Sequence, residues 1–190
     1  MRAERHLRPI LLWLEKMDGG IIAIDGRAAS GKTTGALALA EFLGAGVVHM
    51  DDFFPPPALR TPERMNKPGG NIHHERFAAE VLPFLRGENA FSYRIFDCSR
   101  MEFYGEREVA ASPWRVVEGA YSCHPMLGAY MDLRVFSDVA PDMQLARIEA
   151  RNGTEKAADF AAKWIPLEEA YLKAFQIKEH AHTVIAVGSE

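Results

Sequence analysis

Gly26-Arg27-Ala28-Ala29-Ser30-Gly31-Lys32-Thr33-Thr34 is the stretch on which the fold turns. It fits the phosphate-binding loop pattern G-x-x-x-x-G-K-[ST], follows the apolar run Ile21-Ile22-Ala23-Ile24, and opens the Ala- and Leu-rich run Thr34 to Leu43. A strand that ends in a glycine-bounded loop and turns directly into a helix aims successive backbone N–H groups, and the positive end of the helix dipole, at one spot. An anion belongs there. Lys32 is predicted to reach the β- and γ-phosphates of a nucleotide and the Thr33 hydroxyl to hold Mg²⁺. Gly26 and Gly31 supply backbone angles that a side chain would forbid. Arg27, Ala28, Ala29, Ser30 and Thr34 complete the nucleotide-binding loop.

Outward from this loop, Gly46 to Met50 reads as a second parallel strand that stops at Asp51 and Asp52. The Pro-rich stretch 53–71 reads as a long loop without regular structure, and loops of that length are usually functional. Glu75 to Leu85 carries Phe77, Val81, Leu82 and Leu85 on one helical face. Phe91 to Phe96 is predicted to be a strand pairing with Arg107 to Ala110 across a turn near Gly105. Buried strands follow at Trp114 to Glu118, Leu133 to Phe136 and Thr183 to Val187, with helices at Met143 to Arg151 and Phe160 to Ile177, the latter interrupted near Pro166. Alternating strands and helices predict an α/β fold, a mostly parallel five-stranded sheet with helices on both faces. Ligands then gather beyond the carboxyl ends of the strands, where Gly26, Asp51 and Glu118 all fall.

A chain of 190 residues suits a single domain spanning 1–190. Leu7, Ile10, Leu11 and Leu14 recur at helical spacing, so residues 1–17 are predicted to form an amphipathic helix on the domain, too short and too charged to read as an export signal. With 22 Lys and Arg against 26 Asp and Glu, the formal net charge is −4, which recommends neither nucleic acid nor an acidic membrane as partner. Cys98 and Cys123 match no metal-ligand spacing, and the composition is not that of a disulfide-stapled secreted module. A cytoplasmic location is expected, and a homo-oligomer is compatible with these properties.

Phosphoryl transfer asks for phosphate clamps, a metal, and a group that accepts the proton of the attacking hydroxyl. Asp51, just past the second strand, is the candidate base. Asp52 is an equal neighbour on sequence, and adjacent residues on an extended segment point opposite ways, so only one faces inward; Asp52 is also a candidate for the metal. Glu118 ends a buried apolar strand beside the phosphate site and is the main candidate for holding Mg²⁺. Arg147 and Arg151, four apart, share a helix face, and residues 147–160 form a candidate lid over the nucleotide. His73 and His74 lack a third metal-ligand neighbour, and Ser122-Cys123-His124 are adjacent, a poor arrangement for a nucleophilic triad. Trp13, Trp114 and Trp164 are read as core.

From Ile21 to Val187 the chain resembles the uridine kinase-like group of P-loop NTPases, which includes relatives acting on pantothenate and phosphoribulose. The segments that carry the resemblance are the phosphate loop, His49-Met50-Asp51-Asp52-Phe53-Phe54, Gly69-Gly70-Asn71 with Glu75-Arg76-Phe77, Tyr93 to Asp97, Val117-Glu118-Gly119-Ala120-Tyr121, and Arg147 to Gly153. It implies ATP as donor, Mg²⁺, a hydroxyl of a small molecule as acceptor, Asp51 as base, Glu118 near the metal, and Arg147 and Arg151 in the lid. It also implies an acceptor pocket drawing on Phe54, His73, Arg76, Arg94, Asp97 and Tyr121. His73 stands where nucleoside kinases of this group place a ribose-binding aspartate, and Cys98-Ser99-Arg100 lacks the expected base-reading histidine. These departures leave the acceptor unfixed. A P-loop switch or ATPase acting without an acceptor is the alternative, with no Asn-Lys-x-Asp guanine-reading segment to favour it.

Overall fold

A computed structural model describes residues 2–15 and 17–186, and the side chains from residue 8 onward within that range. Met1, Lys16 and Val187, and the side chain of Leu7, therefore lie outside the described residues. The chain runs α1 (Arg2–Leu14), β1 (Gly20–Gly26), α2 (Lys32–Leu43), β2 (Gly46–His49), α3 (Pro62–Met65), α4 (His74–Glu80), α5 (Leu82–Leu85), β3 (Phe91–Asp97), β4 (Glu102–Val109), β5 (Trp114–Glu118), β6 (Leu133–Asp138), α6 (Pro141–Asn152), α7 (Thr154–Asp159), α8 (Ile165–Ala174) and β7 (Thr183–Ala186).

The five-stranded sheet has the order β2-β5-β1-β6-β7, and every pairing is parallel. Side chains alternate across such strands, so β1 sends Ile21 and Ala23 to one face and Ile22 and Ile24 to the other. The Ile22 face is covered by α1 and α2 through Ile10, Leu14, Ala36 and Leu39. The Ile21 face is covered by α4 and α8 through Phe77, Tyr171 and Leu172, and by Phe53, Tyr93 and Tyr130. Both faces are thus buried, as an all-parallel sheet requires. Among the described residues no helix is long and apolar enough to cross a membrane.

Local departures from the sequence expectation have local causes. Stretch 53–71 is not irregular throughout: it contains a 3-10 turn at Pro57–Leu59 and the short helix α3, whose first turn Thr61 caps by accepting the Arg64 N–H. Asp51 and Asp52 lie in a 3-10 turn, Met50–Phe53, not on an extended segment. The helix expected over Glu75 to Leu85 breaks at Val81, because Pro83 can enter a helix only in its first turn. The same effect at Pro166 produces a π turn, Phe160–Trp164, before α8. The β3–β4 hairpin turns at residues 98–101, where the Asp97 carboxylate accepts the Ser99 and Arg100 N–H groups. Gly105 sits instead within β4, at φ 76, where the register shifts by one residue as a bulge. Trp13 is 44% exposed and packs at a tilt against His182, so it is not core.

Candidate active site

Gly26 ends β1 at φ 135, and a Cβ there would stand 2.0 Å from the Ser137 carbonyl of β6. Only glycine fits. Ala29 at φ 57 and Gly31 at φ 90 then curl the loop into α2, whose first-turn N–H groups have no intrahelical acceptor. The Lys32 ammonium donates to the Gly26 and Arg27 carbonyls, both at 2.8 Å, which arches the side chain across the loop. The Thr33 hydroxyl donates to Glu118 Oε2 at 3.1 Å, linking the start of α2 to the end of β5. His49, at the end of β2, places Nδ1 2.6 Å from Glu118 Oε1. Two strand ends and the start of α2 thereby meet at one buried carboxylate.

Asp51 and Asp52 separate cleanly. Asp51 faces the crevice that also contains Lys32, Thr33 and Glu118. The surrounding walls, and next the Glu118 carboxylate, raise its carboxyl above the usual range, while Lys32 opposes the shift. Asp52 turns the other way. It is buried, accepting from Arg107 Nε at 2.7 Å and the Tyr93 hydroxyl at 2.9 Å, and Tyr93 in turn accepts the His49 N–H. The expectation that Asp52 helps hold a metal is corrected: it does not line the crevice, and its oxygens face the β3–β4 hairpin.

The crevice, about 560 Å³, includes Phe54, Tyr121, Arg147 and Arg151 among the expected residues. Arg147 Nη1 donates to the Ala29 carbonyl at 3.2 Å, so α6 lies against the phosphate loop. Arg151 Nε meets Asn152 Oδ1 at 2.9 Å.

The other expected acceptor residues are elsewhere. Arg76 is buried, donating to the Asp52 and Arg94 carbonyls and to Glu80, with its guanidinium over the Phe53 ring. Arg94 pairs with Glu80 on the exposed side of the hairpin. Asp97 caps the hairpin turn, and His73 forms the N-cap position of α4 without lining the crevice. Arg76 and Arg94 tie α4 to the β3–β4 hairpin through Glu80 and the Arg94 carbonyl, and Asp97 serves its own turn.

Several residues of the site escaped the sequence reading. Glu168, in α8, is 5% exposed and accepts the Ala28 N–H at 2.7 Å. Burial pushes its carboxyl up to about 7 against the pull of Lys32. Its neighbour Glu169 holds Arg27 Nε at 2.5 Å, and Asp138 also pairs with Arg27. Asp25, fully buried, accepts the N–H groups of Gly26, Tyr121 and Cys123 and the Tyr171 hydroxyl, and burial raises its carboxyl. Arg60, Asn71, Cys98, Phe160 and Trp164 also line the crevice, which corrects the reading of Trp164 as core. An acid directly before the first glycine of the loop was the one legible signal, at Asp25; nothing in a helical Glu-Glu pair marks Glu168.

The donor set fits a metal-bound nucleotide. A curled loop running into a helix N-terminus, a lysine arched over it, and a hydroxyl and carboxylate in contact supply anion and hard-cation ligands together.

No protein-family model matches the sequence, and no curated protein matches it. Solved structures match in shape. A candidate uridine kinase from Bacillus stearothermophilus superposes with a TM-score of 0.67 at 20% identity, over 97% of this chain and 100% of its own. A candidate fructose transport system kinase from Silicibacter does so with a TM-score of 0.69 at 22% identity, over 97% and 98%. A circularly permuted candidate P-loop kinase from Saccharomyces cerevisiae matches at 0.59 with 10% identity, over 99% of each. The fold is that of the P-loop kinases. The match to the candidate uridine kinase extends over nearly the whole chain.

Proposed function

We propose that the protein is an ATP- and Mg²⁺-dependent kinase that transfers the γ-phosphoryl group to a hydroxyl of a small metabolite. The observation that carries this reading is the meeting of Lys32, Thr33, Glu118 and Asp51 in one crevice, from three separate segments of the chain. A magnesium nucleotide, when bound, supplies the phosphoryl group and offsets its charge. The phosphate-loop amides and Lys32 bind the phosphates, and Thr33 and Glu118 hold the metal. Asp51 orients the acceptor hydroxyl and takes its proton, a role that suits a carboxyl with a raised pKa. Arg147 and Arg151 lie on the donor side, where they favour negative charge and exclude water.

The test is ADP release and product mass over a panel of alcohols. Asp51→Asn is expected to lower turnover by about a hundredfold or more while leaving the ATP analogue's affinity unchanged. Equal turnover in that variant removes Asp51 from the base role. Hydrolysis that saturates with ATP alone, unaffected by any alcohol, favours an ATPase or switch instead.

A further inference from the structure

The crevice carries two groups that general phosphoryl-transfer chemistry does not explain. The first is Arg60, at the C-cap of the Pro57–Leu59 turn. Arg64, Arg76, Arg94 and Arg107 in the surrounding segments each pair with a carboxylate. Arg60 pairs with none among the described residues: its Nε donates to the Pro55 carbonyl at 2.7 Å, and its Nη2 stands 3.6 Å from Cys98 Sγ, another crevice residue. Asp51 lines the same crevice. A guanidinium tethered through Nε by a proline-stiffened loop, and lacking a counter-ion, is fixed in place as an anion receptor.

The second group is Asn71. It is 5% exposed, it lines the crevice, and its buried Oδ1 has no hydrogen-bond partner. A buried carbonyl oxygen without a donor is costly to leave so, and a substrate O–H relieves it.

We infer that the acceptor is an alcohol that also bears an anionic group, a carboxylate or a phosphate, seated on Arg60 while a hydroxyl donates to Asn71 Oδ1. This rests on the kinase reading, since it places the hydroxyl on the Asp51 side of the crevice. Neutral sugars and nucleosides leave Arg60 without a partner, and the site discriminates against them for that reason.

The experiment is a binding titration of the full chain, with Mg²⁺ and a non-hydrolysable ATP analogue present, using glycerate, a pentose phosphate, fructose, uridine and propanoate as probes. Glycerate or the pentose phosphate is expected to bind, and which of the two does so identifies the anion as carboxylate or phosphate. Propanoate, which lacks the hydroxyls, is expected to bind more weakly than glycerate. Arg60→Gln should weaken the anionic alcohol about tenfold or more, with Arg60→Lys between it and the parent, and should leave the affinity for the ATP analogue within about twofold. Circular dichroism checks that each variant folds.

Binding of fructose or uridine that is indifferent to Arg60→Gln overturns the inference, as does binding by none of the probes. Loss of analogue affinity in Arg60→Gln with the anionic alcohol unaffected also overturns it, by assigning Arg60 to the donor. Expected binding without acceptor-dependent ADP release keeps the anion site and removes the kinase reading.

Discussion

At the scale of single residues, the crevice is governed by how its carboxylates are hydrated and opposed. Glu168 is the clearest case, because its carboxyl is pushed up to about 7 by burial against the phosphate loop. A carboxyl whose pKa is raised on folding favours the folded state at pH values below its unfolded value, and that contribution disappears as the pH climbs through the folded value. Glu168→Gln keeps an oxygen for the Ala28 N–H and carries no charge. It is therefore expected to match the parent near pH 4 and to be more stable by about 1–3 kcal/mol at pH 8, as read by denaturant titration at both pH values. Nucleotide affinity should follow the same sign, since the ionised carboxylate stands beside loop amides that bind phosphate: the parent binds more tightly as the pH falls from 8 to 6, and Glu168→Gln flattens that dependence. A calorimetric pH series checks this. The raised Asp51 carboxyl predicts in turn that the acid limb of kcat/KM lies above the usual carboxylate range, and that Asp51→Asn abolishes it.

Secondary-structure elements fix which of two adjacent acids serves chemistry and which serves architecture. Residues 51 and 52 are indistinguishable as letters, and only the 3-10 turn at Met50–Phe53 sends one to the crevice and the other to Tyr93 and Arg107. Asp52→Ala should leave that tyrosine and arginine without their acceptor, costing about 1–3 kcal/mol by thermal or chemical unfolding and raising hydrogen exchange in β3 and β4. The phosphate loop was legible because its function needs a contiguous run of residues, and the strands because a sheet covered on both faces leaves continuous apolar runs. Proline positions explain the breaks at Val81 and before α8. What stayed hidden depends on contacts made across the fold. Glu168 becomes part of the site only because α8 crosses the loop, and Arg76 leaves it only because its guanidinium is spent on the Asp52 and Arg94 carbonyls. Charged residues in the loop and hairpin carry no mark in sequence that separates a clamp from a contact with substrate.

For the molecule as a whole, the sheet order places the site where segments distant in sequence converge, and the phosphate loop is held from three sides by Asp25, Ser137 and α8. Gly26→Ala forces a Cβ to 2.0 Å from the Ser137 carbonyl and is expected to lower soluble yield and melting temperature sharply, not merely to weaken nucleotide affinity. The same order bears on how the chain is made. β1 and β2 are not neighbours, because β5, which begins at Trp114, lies between them. During synthesis the first two strands emerge with nothing to bridge them, and their apolar edges wait until the ribosome has delivered the chain through Glu118. Nascent chains stalled short of that strand should be cut readily by protease and captured by chaperones, and resistance should become complete only once β6 and α8, which close the other edge and face of β1, have cleared the exit tunnel.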